Sequence, residues 1–192
     1  METGTKGRRS DATRNRARIL EIAEECFAEH GLEVPLDTIA KQAGVGAGTL
    51  YRHFPNRETL IAALVADRIG DLQQIHHDLV AAELTAGTRL ERWLEAIRTW
   101  MTSYDGLPDP LREAWEKDAT MLGAHCRPVV DMTDQLLRDA QQHGDARPDL
   151  SGRDLYLANL GAAWAASAPL ADSKSGASIV DILGSGWRAT TP

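Results

Sequence analysis

Apolar residues recur every three or four positions along almost the whole chain, and this period limits the fold more than any other feature. Such spacing places side chains on one face of an α-helix. Arg14 to His30 carries Ile19, Ala23 and Phe27 on one face, with Ile22 and Cys26 beside it, and Gly31 ends it. Pro35 suits a first helical position and opens a short helix through Ile39 and Ala43 to Gly44. Thr49 to Phe54 forms another short helix, and a long one runs from Glu58 to about Leu84. Strand signals are nearly absent: there is no Asn-Gly turn and no sustained period-two alternation.

The second half continues with longer elements. Leu90 to Tyr104 places Trp93, Ile97, Trp100 and Met101 on one broad stripe, and the proline-rich Asp105–Pro110 stretch turns the chain. A helix with Leu111, Ala114 and Trp115 follows, another begins near Pro128, and Ser151 caps a third carrying Leu157, Leu160 and Trp164. A last helix holds Ile179, Ile182, Leu183 and Trp187. The expected fold is therefore all-α, with about nine helices and no internal repeat. Residues 1–13 read as a basic flexible arm, 14–57 as a small first domain, and 58–192 as a larger helical domain.

Charge is distributed unevenly between these parts. The 192-residue chain has a formal net charge of −7, yet residues 1–70 hold ten basic and ten acidic residues, so the deficit lies entirely beyond them. Between Thr38 and Arg57, Lys41, Arg52 and Arg57 occur with no acid. The tail to Arg18 adds Lys6, Arg8, Arg9, Arg14, Arg16 and Arg18 against Glu2 and Asp11. A basic face backed by an acidic module orients a protein on a polyanion.

Two short helices joined by a glycine turn, after a longer helix, form a helix-turn-helix arrangement. In Ala43-Gly44-Val45 the glycine permits the left-handed backbone that reverses the chain, and Val45 plugs between the helices. On the second helix Leu50 and Phe54 are four apart and point inward. Thr49, Tyr51, Arg52 and His53 point outward and offer donors suited to phosphate oxygens and major-groove base edges. Arg57 adds a cation at the start of the next helix, where anions are already favoured.

The run Ile39-Ala40-Lys41-Gln42-Ala43-Gly44-Val45, then Gly48-Thr49-Leu50-Tyr51-Arg52-His53-Phe54, then Asn56-Arg57-Glu58, resembles the DNA-binding domain of the TetR family of regulators. The stretch from Ile19 through Phe27 to Gly31 is similar to that family's first helix, and the resemblance covers about residues 14–70. It implies that Thr49 and Tyr51 contact phosphates, that Arg52 or His53 reaches bases or backbone, and that Arg57 anchors a phosphate. Lys41, Gly48 and Asn56 complete the implied DNA-binding set. Family members commonly place Ser or Thr and then Lys before the glycine of the Thr-Leu-Tyr run. This chain has Gly46 and Ala47 there, so it lacks a side-chain cap worth about 1 kcal/mol and one basic contact.

The resemblance further implies a small-molecule effector, a homodimer, a double-stranded DNA operator and no cofactor. Large aromatics around the proline turn make Trp93, Ile97, Trp100, Met101, Trp115, Met121 and Trp164 the expected lining of an effector cavity for a hydrophobic or aromatic molecule. Leu157, Leu160 and Trp164, with Ile179, Leu183 and Trp187, are the expected dimer interface. Repression relieved by ligand is the default sign of regulation, and activation stays open.

Other functional classes lack their signatures. The adjacent pairs His76-His77 and His125-Cys126 do not have metal-ligand spacing, and no nucleophile elbow, phosphate loop or dinucleotide fingerprint occurs. No apolar run approaches the roughly 20 residues of a membrane span. Met1 to Ser10 has no apolar stretch of a secretory signal, and the two cysteines read as buried hydrophobes, so the expected location is the cytoplasm, with no membrane partner.

Overall fold

The computed structural model describes residues 3–103, 107, 110–111, 121–168, 178–179, 181–182 and 186–189, with main chain only at 3–10, 121–125 and 167. Its named helices are α1 (Thr3–His30), α2 (Leu36–Gln42), α3 (Ala47–His53), α4 (Arg57–Ala81), α5 (Ala86–Met101), α6 (Met121–Gln142) and α7 (Gly152–Ser167). No strand occurs among the described residues, and the one β-type contact is the bridge between Ala146 and Arg188. The fold is all-α as expected. The expected helix around Trp115 lies mostly outside the described residues, and so does much of the one after residue 176. The chain divides into units of residues 1–65 and 66–192, with the division falling inside α4.

In the first unit, α1 is helical from Thr3 and not from Arg14, so the main chain of the segment expected to be a flexible arm is helix from residue 3 onward. Its exposed ion pairs Arg14–Asp11 and Arg18–Glu21 lie three residues apart, a spacing that helix geometry supplies. Gly31, at φ 73°, stops α1 by returning its N–H to the Phe27 carbonyl at 3.0 Å. Pro35 stands in extended backbone just before α2 instead of inside it. The core joins the fully buried Ile19, Phe27, Ile39 and Leu60 to Leu50 and Phe54.

In the second unit the sequence period placed the helices but missed some of their starts. α5 begins at Ala86, before Leu90, because the Thr85 hydroxyl accepts the Thr88 N–H. α6 begins at Met121, so Pro128 lies within it and not at its start. Ser151 does cap α7, and it forms a capping box with Asp154. Next to that cap α7 approaches α6 closely: Gly152 donates its N–H to the Asp134 carboxylate at 2.5 Å, and a Cβ there would lie 2.6 Å from the Asp134 amide nitrogen.

Trp93, Ile97 and Met101 have no exposed surface. The Trp93 indole N–H donates to the Thr133 hydroxyl at 2.9 Å, and that hydroxyl donates to the Val129 carbonyl at 2.7 Å, so the buried polar groups are satisfied. His76 packs edge-on against Trp93 with ring centroids 5.4 Å apart. Among the described residues its Nε2 is buried without a hydrogen-bond partner.

Burial therefore pushes the His76 imidazole below its ordinary value, the Met132 carbonyl opposes that shift, and neighbouring His77 adds to it. A depressed histidine leaves the unfolded chain holding more protons once pH falls through the ordinary range, so stability drops on acidification. Urea unfolding between about pH 7 and pH 5 will show this loss, and His76→Phe, which keeps a ring against Trp93, will lose less over the same window.

Candidate DNA-binding face and effector domain

The DNA-reading face follows from how a seven-residue helix is held. Gly44, at φ 70°, donates to the Lys41 carbonyl at 3.2 Å, and Val45 donates to Ala40 at 3.0 Å, the paired bonds of a Schellman turn. Nothing lies within 4 Å of a Cβ built on Gly44, so the turn needs glycine for its backbone and not for space. α3 starts at Ala47, earlier than Thr49, with Gly46 before it and no side-chain cap, as the departure from the family pattern implies. Leu50 and Phe54, at 1% and 2% exposure, anchor its inner side.

That anchoring leaves the polar side outward. Tyr51 and Arg52 are exposed, Thr49 and His53 are half-buried, and Lys41 and Gly48 are exposed nearby. Arg52 folds its Nε back to the Gly48 carbonyl at 2.9 Å, and its terminal nitrogens have no protein partner among the described residues. The Tyr51 hydroxyl lies 3.5 Å from an Asp37 carboxylate oxygen. Asn56 is exposed, but its side chain caps α4 by accepting the Thr59 N–H at 2.9 Å.

Besides Arg18, which pairs with Glu21, three arginines counted as basic surface have protein partners. Arg14 pairs with Asp11, and Arg16 lies over the Phe54 ring with its guanidinium carbon 5.3 Å from the centroid. The third, Arg57, turns its guanidinium to the main-chain carbonyls of Leu32 and Glu33. Cys26 also bridges elements of this unit, donating its thiol to the Gln42 side chain at 3.0 Å. The Arg16, Arg57 and Cys26 contacts were not readable from the sequence, because each joins positions on different elements.

The aromatic set of the second unit divides by burial. Trp93, Ile97 and Met101 are sealed in the core, and only Trp100 among the expected lining borders a described cavity. This cavity is a groove of about 340 Å³ between α4 and α5. Trp100, Leu72, Ile75 and Ala96 form its apolar part, and Arg68, Asp71, Arg92 and Glu95 carry its charges. The expected lining rests mainly on tryptophan and methionine and so, Trp100 apart, does not include these residues. Their signal was present in the three- and four-residue spacing of 68, 71, 72 and 75 along α4 and of 92, 95, 96 and 99 along α5. Trp115 lies outside the described residues, and Met121 is described by main chain alone.

The expected interface set divides as well. Leu157 and Trp164 are exposed at 38% and 49%, seven residues apart and so on one face of α7. Leu160 is buried inside its own chain, Ile179 is half-buried and Leu183 lies outside the described residues. Trp187 is not on an exposed helical face: it sits in a turn at 4% exposure, with Arg188 over its ring and its carbonyl accepting the Arg147 N–H at 3.0 Å. The bridge between Ala146 and Arg188 pulls it into the second unit's own core.

No helix among the described residues is long and apolar enough to cross a membrane. They contain no group of three His, Cys, Asp or Glu side chains able to hold a metal ion.

A glycine-turned helix pair with an outward polar helix, followed by an all-α domain, defines a helix-turn-helix transcription regulator. Comparison with known proteins places it more narrowly. Residues 19–64 match the family described as bacterial regulatory proteins, tetR family, and residues 85–189 match the C-terminal domain described as transcriptional regulator SbtR-like. A TetR transcriptional regulator from Streptomyces coelicolor is 31% identical, with 92% of this chain and 99% of that one covered and a TM-score of 0.62. A TetR regulatory protein from Mycobacterium vanbaalenii is also 31% identical, with coverage of 94% and 99% and a TM-score of 0.55. An HTH-type transcriptional regulator of Staphylococcus aureus is 51% identical over 53 residues, which are 27% of this chain and 29% of that protein, so the match spans less than a third of its length. The chain belongs to the TetR family of transcription regulators.

Proposed function

We propose that this regulator is a homodimeric repressor that leaves its operator when a small molecule binds the helical domain. The observation that carries the DNA half is the two-sided α3: Leu50 and Phe54 are locked inside while Tyr51 and Arg52 stand exposed. In this reading α3 enters the major groove. Arg52 or His53 reaches bases or backbone, Thr49 and Tyr51 hold phosphates, and Lys41, Gly48 and Asn56 border the contact. The operator is double-stranded DNA, and the cytoplasm is where the protein meets it.

The groove beside Trp100 supports the effector half. Its volume of about 340 Å³ lies in the range of small-molecule sites. Its apolar floor with two cations and two carboxylates fits an amphiphilic molecule with an aromatic or aliphatic body, which adds polar groups to the hydrophobic or aromatic ligand the sequence implied. By linkage, a ligand that prefers the conformation poor at binding DNA weakens DNA binding by the factor by which DNA weakens its own. Leu157 and Trp164 support the dimer, since an exposed apolar pair on one helical face gains by meeting its own copy across a two-fold axis.

Selection from a random DNA pool will return a palindromic site, and Arg52→Ala will weaken binding to it by about 1–3 kcal/mol while relaxing specificity. Recovery of no preferred sequence would refute the DNA reading. Amphiphilic aromatic compounds that release the operator will quench tryptophan emission, and Trp100→Phe will lose that release at unchanged operator affinity; a broad library giving neither effect rules the groove out. Trp164→Glu will shift the protein from dimer to monomer in light scattering and abolish operator binding, because a charge would be buried unpaired between subunits. A wild-type monomer at micromolar concentration would end the dimer proposal.

A further inference from the structure

Arg57 is the first residue of α4, yet its guanidinium reaches away from that helix. Nη1 donates to the Leu32 carbonyl, and Nη2 donates to the Glu33 carbonyl at 3.4 Å. Both acceptors lie in the turn between α1 and α2, just after the left-handed Gly31. Among the described residues no main-chain N–H outside the helices reaches either carbonyl. Leu32 and Val34 are buried at 4% and 8% exposure and the Leu32 bond is part-buried, so that carbonyl borders the core, while the bond to Glu33 is exposed. A carbonyl in such a place needs a donor, and a charged one makes the stronger bond.

The placement costs α4 something. A cation in a helix's first turn faces the positive end of the helix dipole. Asn56 and Thr59 already cap that turn through 2.9 Å and 2.8 Å bonds, so Arg57 is not needed for capping. What the guanidinium adds is a tie between the first turn of α4 and a turn 24 and 25 residues earlier in the chain. A planar fork can bond two successive carbonyls at once, and a lysine ammonium at the end of a flexible stem cannot reproduce that geometry.

We infer that Arg57 is a positioning residue of the DNA-binding unit: it clamps α4 to the α1–α2 turn and so fixes how α2 and α3 are presented, and it does not itself hold a phosphate. The consequence for DNA rests on the operator-binding reading, but the clamp itself does not.

The full-length chain is compared with Arg57→Gln and Arg57→Lys. In the free wild-type protein, NMR will show the Arg57 guanidinium protons as separate, slowly exchanging signals, and both variants will unfold at lower urea. Against the selected operator, Arg57→Gln will bind about tenfold more weakly at every salt concentration, with the wild-type slope of log K against log salt. Arg57→Lys will recover only part of the loss. A slope shallower by about 0.9 for Arg57→Gln, with full recovery by Arg57→Lys, would show a phosphate contact and overturn the inference. Unchanged affinity in both variants, or a freely rotating guanidinium in the free protein, would overturn it too. If the wild type selects no operator, the DNA reading fails, and the NMR and urea measurements still decide the clamp.

Discussion

A helix of seven residues does not hold itself together in water, because the cost of nucleating it exceeds what so few main-chain bonds return. α3 is that short, has only a glycine before it and receives no side-chain cap. Its existence depends on burying Leu50 and Phe54 against α1 and α2. Burial of two large apolar side chains contributes roughly 1.5–3 kcal/mol each. The same contact sets the helix's rotation, and the rotation decides which side chains point outward. Every statement about how this protein meets DNA rests on that one packing contact.

The surrounding polar contacts refine the position rather than create it. The Gly44 turn sets the path from α2 to α3. Arg16 lies over Phe54 from α1, Cys26 of α1 holds Gln42 at the end of α2, and Arg57 reaches the turn after α1. These ties converge on the α1–α2–α3 core from its edges. Basic residues that look like polyanion contacts in a linear charge count are thus partly engaged within the protein, and the positive face is narrower than composition implies.

The second unit uses its aromatics differently. Trp93 is a core residue with a satisfied indole N–H, and Trp187 closes the C-terminal turn under Arg188. Trp100 edges the groove and Trp164 faces outward. Tryptophan carries a large apolar body and one polar atom, so it serves equally in a core, a cavity wall or an interface. Residue type alone does not choose among these roles.

The helical period, the glycine stops and the Ser151 cap were legible in the sequence because each acts within a few residues of its own position. The helix-turn-helix was legible for the same reason: a left-handed glycine and two inward residues four apart are local requirements of a short helix on a core. The groove between α4 and α5, the burial of Leu160 and Trp187, and the inward turn of Arg57 were not legible. Each of them joins residues tens of positions apart, and such pairings come from how helices pack, which no local period encodes. The sequence by itself determined which segments are helices and which face of each is apolar. Only the tertiary structure decided which apolar and charged side chains are spent inside the chain, because that depends on which helices become neighbours.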